Sequence, residues 1–223
     1  LRQRLAAMGS LASGVAREIR NPLNTVTMAA QRLDREFTPV EDAEEYHRLL
    51  HSMRGESSRI ERIIEEFLRF ARPPELVLTL GSLEVALGEL AETFRPSCEA
   101  RGVRFEVDLQ PVPEFPFDSD QVKQAALNLL RNALDAAPDE GGIVRLVTRA
   151  TENGAVIEVE DNGPGIPEEE RGRIFDLYFT TKPDGTGVGL AMVHRIAVEH
   201  GGRVEVDDSP LAGAAFRIML TRD

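Results

Sequence analysis

From Leu1 to Phe37 the apolar residues Leu1, Leu5, Met8, Ala12, Val15, Ile19, Leu23, Val26, Ala30, Leu33 and Phe37 recur at steps of three and four. That spacing puts them on one stripe of one long helix. A second stripe runs through Tyr46, Leu49, Leu50, Met53, Ser57, Ile60, Ile63, Ile64, Phe67 and Phe70, after a polar stretch containing Pro39. Two long amphipathic helices with a short polar connection fold back as a hairpin. One hairpin cannot cover both of its own apolar faces, whereas two hairpins from two chains close a four-helix bundle, so a homodimer is expected. Pro22 lies inside the first helix, where it removes a backbone donor and crowds the carbonyl of Glu18, so a kink is expected there.

Arg72-Pro73-Pro74-Glu75 ends the second stripe, and the pattern then changes. Leu76 to Leu80 and Val103, Phe105, Val107 and Leu109 read as strands, with a helix over Leu83 to Ala100 between them. Asp118-x-x-Gln121 resembles a capping box, opening a helix that carries Val122, Ala126, Leu129, Leu130, Ala133 and Ala137. Ile143 to Ala150 and Ala155 to Glu160 form a strand pair around Glu152-Asn153-Gly154. A helix over Val188 to His200 and strands near Val204 and Phe216 complete the chain. The expected organisation is an all-α hairpin over 1–72, a linker and first strand over 73–80, and a two-layer α/β sandwich over 81–223.

Three short segments of the second part carry chemistry. Asp161-Asn162-Gly163-Pro164-Gly165-Ile166 closes a strand, and glycine at 163 and 165 lets a flat ring lie against the main chain. Gly185-Thr186-Gly187-Val188-Gly189-Leu190 opens a helix, whose free N–H groups and positive dipole end suit phosphates. Asn128 and Asn132 are four apart and share a helix face. Amides of this kind suit Mg²⁺, which takes few protein ligands beside phosphate oxygens. Lys123, on the same helix, is a candidate cation for the nucleotide. Thr180, Thr181 and Lys182 add hydroxyls and an ammonium for a polyphosphate.

Upstream, Ala16-Arg17-Glu18-Ile19-Arg20-Asn21-Pro22-Leu23 resembles the phosphoacceptor box of two-component sensor histidine kinases, with Arg17 where the histidine belongs. Asn128 to Ala133, Asp161 to Ile166, Ile174 to Lys182 and Gly185 to Leu190 resemble the nucleotide boxes of the same family, in its order. The usual proline of the phenylalanine box is Leu177 here, and the six residues from Thr180 to Gly185 make a short lid of the nitrogen-regulatory kind. The resemblance implies a dimeric bundle followed by a Bergerat-type domain that binds ATP and Mg²⁺. It implies that Asp161 accepts from the exocyclic amine of adenine, and that Asn132 is the first choice of metal ligand and Asn128 the second. A response-regulator receiver domain is the implied partner, and Tyr178 and Phe179 are expected in the core or at a hinge. Related hydrolytic ATPases usually carry a glutamate at the position of Asn128 to activate water. An amide cannot act as that base, which favours kinase chemistry over hydrolysis.

The guanidinium of Arg17 has no acceptor lone pair and cannot take a phosphoryl group, so autophosphorylation is expected to be blocked. By resemblance Glu18 orients the acceptor proton and Asn21 helps position water for dephosphorylating a regulator. The retained box fits an inactivated kinase or an acceptor-less pseudokinase that regulates or dephosphorylates its partner. His47 and His51 are one turn apart with no third metal ligand, and His194 and His200 follow the glycine box.

Twenty-six basic against 38 acidic residues give a net charge of −12, which opposes nucleic acid and anionic membranes, so a triphosphate needs a local site. One cysteine, Cys98, excludes an internal disulfide. No apolar run approaches the roughly 18 residues of a membrane span and no signal-peptide pattern is present. A cytoplasmic segment of a longer sensor, membrane-bound sensors included, is the expectation.

Overall fold

The computed structural model describes residues 2–39, 42–71, 75–182 and 185–222, and within the first helices the side chains of Arg17 and Glu18 lie outside the described residues. The chain divides into two compact units, residues 1–74 with 182–186, and 75–181 with 187–223.

In the first unit α1 (Arg2–Glu36) and α2 (Ala43–Ala71) form an antiparallel hairpin. The helix α1 runs through Pro22 without interruption. The Tyr46 hydroxyl donates to the Leu33 carbonyl at 2.9 Å, and His47 Nδ1 donates to Asp34 Oδ1 at 2.9 Å, pinning the two helices beside their connection. Ala16, Ala30, Leu50 and Ile64 are buried between the helices, while Ile19, Val26, Leu33, Phe37, Leu49 and Met53 of the same stripes remain exposed.

The second unit contains β1 (Thr79–Gly81), α3 (Leu83–Ala100), β2 (Arg104–Leu109), β3 (Phe115–Phe117), α4 (Ser119–Ala136), β4 (Ile143–Thr151), β5 (Gly154–Asp161), a single turn α5 (Glu168–Arg171), α6 (Gly189–Glu199), β6 (Arg203–Asp208) and β7 (Ala214–Thr221). Five strands form one sheet in the order β2-β4-β5-β7-β6, parallel between β2 and β4 and antiparallel elsewhere. Period-two alternation decides its two faces. Val144, Leu146, Ile157, Val159, Ile218 and Leu220 are buried under α3, α4 and α6, which contribute Leu87, Phe94, Leu129, Leu130, Val193 and Ile196 to one core. On the opposite face Arg145 pairs with Glu106 at 2.8 Å and Glu160 at 3.1 Å, and Arg217 with Glu158 at 2.6 Å. Each pair joins residues directly across the ladder, a geometry worth about 0.2 to 1 kcal/mol per pair. This is the two-layer α/β sandwich that the pattern predicts.

The first strand is shorter than the predicted Leu76 to Leu80. Among the described residues it pairs with β3 alone, three residues long, and the ladder covers Thr79 to Gly81. The strand Phe115–Phe117 was not expected, because Pro116 in so short a run reads as a loop. Both helix starts are capped: Ser82 Oγ accepts from the Val85 N–H at 3.3 Å and Asp118 Oδ1 from the Gln121 N–H at 3.1 Å. The capping box at Asp118 departs from the usual reciprocal form. Gln121 Nε2 turns to Asp118 Oδ2 at 3.1 Å, and the Asp118 N–H goes instead to His200 Nε2 at 3.0 Å.

Candidate nucleotide site

Asp161 ends the central strand β5 and is buried. Its Oδ1 accepts the Gly163 N–H at 2.8 Å and the Ala214 N–H at 3.2 Å, so the carboxylate is fixed by two backbone donors, one in the turn after β5 and one at the start of β7. Three glycines make that arrangement possible. A Cβ at Gly213 would lie 2.3 Å from Asp161 Oδ1, and one at Gly163 would lie 2.5 Å from the Ala136 carbonyl. Gly165 has φ +72°, in the left-handed region. Glycine at 163 is required by the end of α4, which occupies the space that a Cβ would take. Asn162 works for the fold, accepting from the Ile143 N–H at 2.7 Å and donating to the Gly141 carbonyl at 2.9 Å. Ile166 is half-buried, and its carbonyl accepts from Arg171 Nε at 3.1 Å.

The helix α4 is the spine of the site. Asn128, Asn132 and Ala136 follow at intervals of four and share one face. Ala136 meets the turn after β5 through Gly163, and Asn128 Nδ2 donates to the Gly189 carbonyl at the start of α6, at 3.3 Å. Asn132 sits between these two contacts. Its half-buried amide makes no hydrogen bond within the described residues, which fits an oxygen ligand waiting for a hard cation. Lys123 does not join this face. It lies about 140° round the helix from Asn128, and its Nζ pairs with Glu89 of α3 at 3.4 Å and with Asp120 at 3.9 Å.

The glycine segment and the phenylalanine segment are locked together. The Tyr178 N–H donates to the Gly187 carbonyl at 2.9 Å, and a Cβ at Gly187, where φ is +66°, would lie 2.4 Å from the Tyr178 carbonyl carbon. Tyr178 pays for this closeness with φ +69°, a conformation that costs a non-glycine residue roughly 1 to 3 kcal/mol. Tyr178 is 58% exposed, so its core reading is corrected. Phe175 supplies the core contact instead, with its ring 6.4 Å from that of Phe216, and Phe179 lies under the Arg173 guanidinium at 5.0 Å. Val188 is buried ahead of α6, Leu190 is half-buried, and a Cβ at Gly189 would meet nothing within 4 Å. Thr180, Thr181 and Lys182 are exposed in the segment that leads to Gly185 and Thr186; Pro183 and Asp184 are outside the described residues.

In the acceptor segment, Asn21 is exposed on α1, and its carbonyl accepts from Thr25 Oγ1 at 3.2 Å. The side-chain roles expected of Arg17 and Glu18 fall outside the described residues. Sequence reasoning missed Gly213, Ala214, Ala136 and Gln124, which hold the expected residues in place. Only Gly213 carried a signal, as a glycine ahead of a strand.

Residues 117–223 match the family described as histidine kinase-, DNA gyrase B- and HSP90-like ATPase, and residues 7–75 match the His kinase A (phospho-acceptor) domain. The sensor histidine kinase ZraS of Klebsiella oxytoca is 34% identical over 220 residues, 98% of this chain and 47% of that protein. Sporulation kinase A of Bacillus subtilis is 34% identical over 222 residues, 99% of this chain and 36% of that protein. The chain thus spans less than half the length of these relatives. Among solved structures, full-length ShkA in complex with AMPPNP has a TM-score of 0.75 at 28% identity, covering 95% of this chain and 46% of ShkA. The histidine kinase ThkA in complex with the response regulator protein TrrA has a TM-score of 0.72 at 26% identity, covering 100% of this chain and 64% of the ThkA chain. Among the described residues, no helix is long and apolar enough to cross a membrane.

Proposed function

Because this chain belongs to the two-component sensor histidine kinase family, we propose that it is a kinase core built to hold Mg·ATP and blocked in autophosphorylation at Arg17. In this reading residues 1–72 form the dimerisation and phosphotransfer hairpin, 73–80 the linker, and 81–223 the ATP-binding domain. The observation that carries it is the Asp161 carboxylate, buried at the end of the central strand with one oxygen held by the Gly163 and Ala214 amides. A carboxylate oriented in that way is an acceptor suited to the exocyclic amine of adenine.

Asn132, with Asn128 beside it, would hold Mg²⁺, and the cation would neutralise charge on the triphosphate. The first residue of α6, Gly189, bonds to Asn128 through its carbonyl, and Gly187, Val188, Gly189 and Leu190 would offer backbone donors to phosphate oxygens there. Thr180, Thr181, Lys182, Gly185 and Thr186 complete the proposed binding set. Asn128 cannot take a proton from water, so the site favours transfer to a protein nucleophile over hydrolysis. Arg17 offers no such nucleophile. Calorimetry with Mg·ATP tests the reading: the chain binds, and Asp161→Asn loses about 1.5 to 3 kcal/mol of binding. Unchanged affinity in that variant removes Asp161 from the site.

A second reading has a specific observation behind it. Glu18, Asn21 and Pro22 are retained around Arg17, and Asn21 is exposed on α1. An acceptor-less regulator that dephosphorylates a receiver domain would keep those residues and dispense with the histidine. The solved complex of ThkA with a response regulator supports a receiver domain as partner in either reading. The exposed remainder of the apolar stripes supports a homodimer through the hairpin.

A further inference from the structure

We infer that Gln124 is a positioning residue for the phosphate side of the nucleotide site, acting through Asn128. The inference rests on the ATP-binding reading above. Its basis is a chain of hydrogen bonds whose direction is dictated at one end. Gly189 offers Asn128 a backbone carbonyl, which can only accept, so Asn128 must present its Nδ2 there, at 3.3 Å. Its Oδ1 is then turned the other way and needs a donor. Gln124, one turn earlier on α4, supplies it with Nε2 at 3.1 Å. Both bonds are partly buried, so water competes for them weakly.

Without Gln124 the Asn128 amide loses the partner that sets which way it faces. Flipped by half a turn it would aim Oδ1 at the Gly189 oxygen, acceptor against acceptor. Gln124 therefore holds the first residue of α6 in register with the α4 face that carries Asn132. The groups aligned in this way are the ones that would meet phosphates and the cation. Asp161, fixed by Gly163 and Ala214, takes no part in the chain. Triphosphate recognition thus depends on Gln124 and adenine recognition does not.

Gln124→Met keeps length and neutrality and removes the donor. In the full chain, calorimetry should show Mg·ATP affinity reduced about tenfold, the loss expected for roughly one hydrogen bond of positioning. Adenosine, followed by chemical-shift titration, should bind as tightly to the variant as to the parent. In an Asn128→Ala background the same substitution should change ATP affinity less than twofold, because the residue acts through Asn128. Equal weakening of adenosine and ATP would mean a general structural role and overturn the inference. So would ATP affinity within twofold of the parent, or full additivity with Asn128→Ala. A parent chain that binds neither ligand overturns the ATP-binding reading itself, and the role of Gln124 falls with it.

Discussion

His200 Nε2 accepts the backbone N–H of Asp118 at 3.0 Å, while its Nδ1 donates to the Ile196 carbonyl at 2.8 Å. One neutral ring therefore ties the end of α6 to the cap of α4. The Asp118 carboxylate completes the junction by accepting from Val77, Gln121 and the Gln121 amide. Burial pushes the carboxyl upward, but the backbone donors Val77 and Gln121, with the Gln121 side chain, outweigh it and hold Asp118 below the usual carboxylate range. A depressed folded-state pKa contributes stability above the unfolded value, about 3.9, and loses it as pH falls through the folded value.

Asp118→Ala should therefore weaken the junction by about 2 kcal/mol at neutral pH, and the difference from the parent should shrink below about pH 4. Hydrogen exchange at the Val77 and Gln121 amides reads this locally. A difference that stays constant down to pH 2 would mean that the charge on Asp118 contributes nothing.

Glycine substitutions separate fold from ligand. Gly213→Ala drives a methyl group to within 2.3 Å of Asp161 Oδ1, so it should lower the melting temperature and abolish ATP binding together. Gly189→Ala meets nothing within 4 Å and should change stability by no more than about 0.5 kcal/mol. Its ATP affinity should nevertheless fall if phosphates approach that backbone. Unchanged ATP affinity in Gly189→Ala would move the phosphates elsewhere.

Much of the second unit could be read from local chemistry, because Asp118 and Gly154 mark element ends by a cap and a turn that depend on near neighbours. The helix opened at Asp118 and the strand pair around Asn153 follow from such signals. What could not be read depends on partners distant in sequence. The strand Phe115–Phe117 exists through its pairing with Thr79 to Gly81. Lys123 resembles a phosphate ligand until α3 supplies Glu89. The need for glycine at 163 and 213 comes from Ala136 and Asp161, contacts that no spacing announces. Tyr178 sits in the left-handed region because Gly187 lies against its backbone, a relationship across the short lid segment.

The exposed stripe residues predict the oligomeric state. Leu49 and Met53 are exposed on α2, one turn apart, and a two-chain bundle would cover such residues. The chain should sediment as a dimer at micromolar concentration, and Leu49→Glu combined with Met53→Glu should sediment as a monomer. A parent chain that is monomeric at that concentration contradicts the bundle.

The central claim is that the chain keeps a kinase-type nucleotide site and an acceptor box that lacks only its nucleophile. Incubation with γ-labelled ATP and Mg²⁺, followed by assay for acid-labile phosphate on histidine, tests it most directly. The parent chain should stay unlabelled and Arg17→His should become labelled, since Glu18, Asn21, Pro22 and the residues around Asp161 are already in place. An Arg17→His chain that binds ATP but stays unlabelled, or a parent chain that labels on His47 or His51, would contradict the account.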